Sequence, residues 1–306
     1  MVDITKIPLF DAHCDTLTQS FGLRKNRRQL DLQRLSAYAP AAQVFAIWVD
    51  GPLARPAYLN LMLRRAQTVF SRNADLVTLC RSAEEAQQAA ETGKIAAFLS
   101  VEGAELLGCS AAGLYHAYTA GVRMVNITWN HDNALAGAAL GGGGGLTARG
   151  RSFVEGCQTL GVAVDVSHVS EAAFWDVMRV AQRPVLASHS NAKGLCDHPR
   201  NLTDAQFMAI VHQGGVVGLN LCTDFLAQGR SVEAAADHAE YFLRLGGRKT
   251  LCLGCDLDGI PQMPAGMRGV EDMGTLYGAM RRRGWSEELL GDIFYHNLMR
   301  FMGEAL

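Results

Sequence analysis

Residues Ile95–Glu102 read IAAFLSVE, seven residues without a charge followed by one carboxylate. Apolar side chains stand at odd and even positions alike, which is typical of a strand buried on both faces within a parallel sheet. The acidic residue falls where such a strand would meet its loop. This pattern, an apolar run that ends on a polar or charged residue, recurs along the chain.

Seven more apolar runs resemble this one in length and composition. They are Pro8–His13, Gln43–Val49, Val122–Trp129, Val162–His168, Pro184–His189, Val216–Leu221 and Leu251–Asp256. Segments with helical spacing lie between them, at Ala57–Arg72, Ser110–Ala120, Ser170–Ala181 and Thr203–His212, with Ser170 and Thr203 as N-caps. Eight strand–helix units predict an α/β protein with a (β/α)₈ TIM barrel, as a single domain over residues 1–306. An open doubly wound sheet uses the same local signals, but eight units close a ring.

Composition narrows the class of protein. Lys and Arg number 28 against 30 Asp and Glu, so the formal net charge is −2, and a nucleic-acid partner is not expected. No apolar stretch reaches the roughly 18 residues that span a bilayer, so no membrane partner is expected either. The N-terminus lacks a signal-peptide pattern, and eight scattered cysteines are typical of free thiols. We therefore expect a cytoplasmic enzyme.

Five ligand-type side chains close the predicted strands. His13 and Asp15 follow the first strand, Glu102 ends the third, His168 ends the fifth and His189 ends the sixth. Barrel strands all end on one face, so these groups are expected to converge there. Three imidazoles and two carboxylates suit zinc-like ions and suffice for two. No lysine closes a strand, which leaves Glu102 as the better bridging ligand.

These residues lie within segments that resemble the membrane (renal) dipeptidase family of zinc peptidases, within the amidohydrolase-like barrels. The matching segments run almost end to end and include FDAHCDTL, FLSVEGAELL, VDVSHVSEAAFWDV, PVLASHSNAKGLCDHPRNLTD and LCLGCDLDGI. The resemblance implies two Zn²⁺ ions per chain, with His13 and Asp15 on one, His168 and His189 on the other, and Glu102 between them. It implies hydrolysis of dipeptides by a hydroxide that bridges the metals.

The resemblance also implies roles around the metals. Asp256 would be the catalytic proton-transfer group, and Arg200, beside Asn201, would bind the terminal carboxylate of the substrate. Animal members carry a His that assists the scissile carbonyl, whereas this chain reads Thr128-Trp129-Asn130-His131, which leaves either Asn130 or His131 for substrate binding. A Tyr often found after the seventh strand is Cys222 here.

Several alternatives stay open at this point. The five glycines Gly141–Gly145 are expected to form a flexible loop, or a flap over the site. The protein could be another metal-dependent barrel hydrolase, acting on a lactone, a phosphoester or an N-acyl amino acid. A non-catalytic metal-binding protein would be expected to have lost a ligand or Asp256, and neither is lost. The partner is a small dipeptide, and a homodimer is left open.

Overall fold

Nine β-strands, all paired in parallel, form the centre of the computed structural model, which describes residues 3–19, 22–226 and 229–306. The strands are β1 Leu9–Cys14, β2 Ala41–Ile47, β3 Val77–Leu79, β4 Ile95–Glu102, β5 Val122–Asn126, β6 Ala163–Asp165, β7 Leu186–Ala187, β8 Val216–Leu219 and β9 Leu251–Leu253.

Eight of these strands close a ring in the order β1, β2, β4, β5, β6, β7, β8, β9 and back to β1. The pairing of β2 with β4 completes it, with six matched positions from Ala42 with Ala96 to Ile47 with Val101. The prediction of a (β/α)₈ barrel is therefore confirmed, and the open sheet is excluded. All eight predicted runs overlap a strand of the ring.

The ninth strand, β3, was not predicted from the sequence. It pairs with the first residues of β4, from Ile95 to Ala97, while β5 pairs with the later residues of β4. Both neighbours thus share one edge of a single long strand. A three-residue strand of this kind adds to the ring at its amino end without entering it.

Twelve α-helices lie among the described residues. They are α1 Thr16–Gln19, α2 Leu32–Leu35, α3 Pro56–Arg72, α4 Ala83–Glu91, α5 Ala111–Thr119, α6 Ala148–Leu160, α7 Glu171–Val180, α8 Asp204–His212, α9 Val232–Arg244, α10 Met273–Arg282, α11 Glu287–Gly291 and α12 Asn297–Ala305. The predicted N-caps are confirmed: the Ser170 side chain accepts from Ala173 N, and Thr203 with Gln206 forms a capping box. None of the described helices has both the length and the apolar character that crossing a bilayer requires.

The barrel interior is closed at its amino end by apolar side chains. Phe10 and Phe98 stack inside the ring with their centroids 5.7 Å apart. Phe301 and Met302 of α12 belong to the same buried cluster. Because this end is filled, the opposite end, where the strands finish, is the one left to form a site.

Candidate metal centre

The five predicted ligands meet at the carboxyl end of the barrel, and all are buried. Glu102 lies among the histidines and divides its two oxygens between them. Its Oε2 lies 3.5 Å from Nε2 of His13. Its Oε1 lies 2.9 Å from Nε2 of His168 and 3.6 Å from Nε2 of His189. The two oxygens of this carboxylate therefore lie nearest to different histidines.

The nitrogen and oxygen atoms around this carboxylate lie close to one another. Nε2 of His168 lies 2.9 Å from Nε2 of His189. Nε2 of His13 lies 3.9 Å from Oδ2 of Asp15, and the ring centroids of His13 and His189 are 4.0 Å apart. Two sets of donors lie within metal-binding reach of one another: His13, Glu102 and His189, and His13, Asp15 and Asp256.

Unpartnered polar atoms test whether a metal fits here. Both ring nitrogens of His13 and Oδ1 of Asp15 are buried, and the described residues give them no hydrogen-bond partner. Buried polar atoms are rarely left unpaired, because desolvation without a partner is costly. Imidazole nitrogens and carboxylate oxygens are ligands that Zn²⁺ takes. The residues present therefore fit a metal of this kind.

Hydrogen bonds to the far ring nitrogens turn two of the histidines toward the centre. Nδ1 of His168 lies 2.9 Å from Oδ1 of Asn130, and an amide oxygen accepts, so Nδ1 donates and Nε2 keeps its lone pair. Nδ1 of His189 lies 2.6 Å from Oγ of Ser188, a hydroxyl that can donate or accept and so also holds the ring in place. Such outer contacts orient metal-binding histidines. Of the two candidates left open, Asn130 is therefore the one that contacts the centre.

The backbone around the centre adopts positive φ values, which residues other than glycine seldom take. His168 and Asp256 have φ values of 72° and 60°. Gly259 has a different constraint, since a Cβ there would lie 2.2 Å from Oδ2 of Asp15 and 2.3 Å from Oδ1 of Asp256. Strained and tightly packed backbone of this kind clusters at functional sites.

Several ionisable side chains lie close together in the centre, and their mutual interactions shift their pKa values. Burial alone would lower the pKa of His13, but the carboxylates of Glu102, Asp15 and Asp256 raise it to about 10. Burial and the positive charge of Arg200 lower the pKa of His168 to about 4. Burial raises the pKa of Asp15 well above its ordinary value, and Glu102 adds to that. The three carboxylates thus crowd around His13, an arrangement that a bound cation would stabilise.

Asp256 differs from the other carboxylates in having an intermediate pKa. Burial and the negative charge of Glu102 raise it, His13 and a hydrogen bond from Asn220 oppose them, and the pKa is about 6. Nδ2 of Asn220 donates to Oδ2 of Asp256 at 3.2 Å. A carboxyl group with a pKa near the working pH suits proton transfer. Asn220 itself was not predicted as a site residue, although it directly follows strand β8 as the predicted ligands His168 and His189 follow their strands.

Arg200 is buried at the wall of the same cavity, with 3% of its surface exposed. Its Nη2 donates to the carbonyl of His189 at 3.4 Å, and its Nε has no partner among the described residues. The guanidinium carbon lies 5.6 Å from the ring centre of Phe225. None of the described carboxylates lies within ion-pair distance, so a buried cation faces the cavity without a counter-ion.

The cavity between the predicted metal ligands and Arg200 has a volume of about 150 Å³. Five apolar side chains, Trp48, Trp129, Leu140, Phe225 and Ile260, share its wall with the ligands. Cys222 also lines it, and burial raises the pKa of its thiol to about 11. Ligand pockets are usually two or more times larger, so this cavity suits a small substrate.

Two predicted substrate-binding residues lie apart from the cavity. Nδ2 of Asn201 donates to the carbonyls of Cys196 and Phe225, at 2.9 and 3.0 Å, and so holds two loops together. The side chain of His131 is 70% exposed, with its Nε2 3.5 Å from Oδ1 of Asp50. Neither is among the residues that line the cavity.

A closed parallel barrel that gathers imidazoles and carboxylates at the carboxyl ends of its strands is the architecture of a metal-dependent hydrolase. The model of the membrane dipeptidase family, peptidase family M19, matches residues 4–306. The chain belongs to this family of metallopeptidases.

Individual relatives agree with this membership. An uncharacterised protein from the region 5′ of pqqA in Klebsiella pneumoniae is 33% identical over 247 residues, covering 76% of this chain and 91% of that protein. A Rhodobacter sphaeroides metallopeptidase, solved with a phosphinate mimic of the dipeptide L-Ala-D-Ala, is 27% identical. The structural match covers 98% of this chain and 100% of the Rhodobacter sphaeroides chain, with a TM-score of 0.89. A further family M19 structure, dipeptidase AC, is also 27% identical, covers 98% of this chain and 99% of its own, and has a TM-score of 0.91.

Proposed function

We propose that the protein is a binuclear zinc dipeptidase. The observation that carries the proposal is the position of Glu102, whose two oxygens face His13 on one side and the His168–His189 pair on the other. His13 and Asp15 would hold one ion, His168 and His189 the other, and Glu102 both. Two bound Zn²⁺ ions would supply a nucleophilic water ionised near neutral pH and polarise the scissile carbonyl.

The chain's own residues supply the remaining functions in this proposal. Asp256, with a pKa of about 6, accepts a proton from the nucleophile and delivers it to the departing amine. Asn130 holds His168 in the tautomer that presents Nε2 to the centre. The mechanism requires no covalent intermediate on the protein. Since all eight cysteines are free, we also propose that the protein works in a reducing compartment.

Arg200 supplies the selection for dipeptides. A buried guanidinium without a counter-ion matches the α-carboxylate of a peptide, and a charge-assisted pair of this kind contributes about 1.5–3 kcal/mol. The distance from Arg200 to the metal ligands is fixed by the fold. A substrate whose carboxylate lies one residue beyond the scissile bond would therefore fit, and a longer peptide would not.

Metal analysis and turnover together test the proposed function. The purified protein should contain two zinc ions per chain and hydrolyse dipeptides, and exhaustive chelation should abolish activity until Zn²⁺ is returned. Full turnover with metal confirmed absent would contradict the mechanism. Rapid hydrolysis of a lactone or phosphotriester, with inert dipeptides, would instead favour another hydrolase of this barrel type.

Replacing Arg200 tests the carboxylate assignment. Arg200→Met keeps the length of the side chain but removes the guanidinium, and should lower kcat/KM on a free dipeptide by about tenfold to a hundredfold. On the matching dipeptide amide, wild type should already be poor and the substitution should change little. Arg179→Met, on the exposed surface of α7, is the matched control and should behave as wild type. Equal losses on acid and amide would show that Arg200 supports the fold only.

A further inference from the structure

Leu140 is a large apolar side chain that combines solvent exposure with a place in the wall of the candidate active-site cavity. It is 48% exposed, and it lines the cavity together with Trp129, His168 and His189. Leu53 and Leu61 are exposed to a similar extent, 51% and 54%, but they lie outside the cavity-lining set. Leu140 thus stands at the rim, with one side toward solvent and one toward the space that a substrate would occupy.

The backbone next to Leu140 is fixed to a predicted metal ligand. The amide of Ala139 donates to the carbonyl of His168 at 2.7 Å, and Ala138 forms an antiparallel bridge with Val169. Leu140 follows Ala139 directly, so the hydrogen bond from Ala139 to His168 also fixes the position of Leu140 relative to the centre. A side chain held in this position can limit the size of a substrate bound at the same centre.

The glycine run after Leu140 is built around a carboxylate. Oδ1 of Asp132 accepts from the amide of Ala138 at 2.7 Å, and Oδ2 accepts from the amide of Gly142 at 2.9 Å. A Cβ on Gly141 would lie only 2.1 Å from Oδ1 of Asp132, so a glycine is required there. The predicted loop is thus present, and Asp132 holds it at the amides of Ala138 and Gly142.

The far end of the loop is attached as well. Oγ of Ser170 donates to the carbonyl of Gly144 at 2.6 Å, and the amide of Gly137 donates to the same carbonyl at 3.2 Å. Leu140 therefore lies between two attachment points, at the tip of an anchored loop. Because Leu140 is exposed, much of its apolar surface is not buried against the protein itself. That surface can therefore contact a ligand.

We propose that Leu140 determines which substrate side chains the enzyme accepts, by limiting their size at the rim of the cavity. This rests on the proposed dipeptidase function. The cavity holds only about 150 Å³, and Trp129 is among the bulky apolar groups that share its wall. Shortening Leu140 enlarges the space next to the metal centre and leaves the predicted metal ligands, Asp256 and Arg200 unchanged. Small dipeptides pass Leu140, whereas bulky side chains collide with it.

Steady-state rates on two dipeptide series test this role. One series varies the N-terminal residue through Ala, Leu and Phe before a constant Ala, and the other varies the C-terminal residue, with both L and D forms. Leu140→Ala should raise kcat/KM for the bulky members relative to Ala-Ala by roughly tenfold in one series, the usual effect of a few methylene groups in an apolar pocket. Leu140→Phe should shift the ratio the other way. The series that responds identifies the side chain that Leu140 contacts.

Two controls separate the outcomes. Leu61→Ala removes an equally exposed leucine from α3 and should leave all ratios as in wild type. Asp132→Ala removes the carboxylate that holds the loop, and should reduce discrimination between small and bulky substrates while leaving the metal content unchanged. If wild type hydrolyses dipeptides but both Leu140 variants keep the wild-type ratios, the role of Leu140 is excluded. If wild type hydrolyses none, the proposed function itself fails.

Discussion

At the loop after β9, the carboxylate of Asp256 accepts a hydrogen bond from Asn220 and has Oδ1 3.9 Å from Nε2 of His13. Asp256→Asn keeps the shape and the hydrogen-bonding potential of the side chain but cannot take up a proton. We expect both zinc ions to stay bound and kcat to fall by about 10²–10⁴, the usual contribution of a positioned acid–base group. Metal content and kcat measured on the same preparation test this.

The same variant can also show that the role is different. Asp256 belongs to one of the two donor sets, with His13 and Asp15, so loss of metal from Asp256→Asn would make it a ligand. Asp197→Asn provides the comparison, because Asp197 lies in the loop that carries Arg200 with 90% of its side chain exposed. It should leave both the metal content and kcat unchanged.

Single residues also show where sequence analysis reaches its limit. His13, Glu102, His168 and His189 could be placed together from the sequence, because ligand-type residues at the ends of parallel strands meet on one face. Asn220 could not be paired with Asp256, since their contact depends on how two loops fold over the rim. For the same reason, the sequence could not predict that Asn130, and not His131, contacts His168.

Among the elements, α9 carries a buried histidine that holds the loop after β7. His238 is fully buried, and its Nδ1 accepts from the amide of Ala192 at 3.1 Å, three residues after His189. Burial lowers its pKa to about 4, and the neighbouring Asp237 opposes this only in part. A protonated ring could not accept that hydrogen bond, so His238 stabilises the fold only while neutral.

The sign of the pH dependence follows from these pKa values. An unfolded histidine binds its proton below about pH 6.5, and the folded one only near pH 4, so the unfolded chain is favoured as pH falls through this window. The difference reaches about 3 kcal/mol at pH 4. His238→Asn offers an amide oxygen in place of Nδ1 and does not titrate. Urea unfolding at pH 8 and pH 4 should therefore show a smaller acid loss in the variant, and identical losses would contradict the role.

The elements themselves were predicted unevenly, and the reasons are physical. Long amphipathic helices such as α3 were predicted within one residue, since periodicity and caps act locally. Strand β7 has two residues where six were predicted, because Oδ1 of Asp165 accepts from the amides of Ser167 and Ser188 and so replaces ladder bonds at that point. Strand β3 was missed because three residues carry no periodic signal.

Across the whole molecule, the predicted ligands come from four strands spread around the ring, β1, β4, β6 and β7. The ring closes between β1 and β9 through one matched position, Asp11 with Leu253, and Asp15 and Glu102 repel each other at its mouth. A bound metal would cross-link these strands and neutralise that charge, and the unfolded chain offers no such site. Zinc should therefore stabilise the barrel as a whole, in addition to its proposed part in catalysis.

Thermal unfolding of apo and zinc-loaded protein measures this coupling. Free zinc at a thousand times its Kd adds about 4 kcal/mol per site, which for a domain of this size raises Tm by roughly 5–15 °C. Glu102→Gln is nearly isosteric and removes the shared carboxylate, so it should lose most of the zinc-dependent rise. Its apo form should be less stable than wild-type apo protein at neutral pH, because, despite burial, His13 and His168 hold the pKa of Glu102 below its ordinary value. The zinc-dependent rise is therefore measured for each protein against its own apo form. Equal rises in both proteins would show that zinc binds elsewhere, since the stabilisation depends on ligands that converge on Glu102 from across the ring.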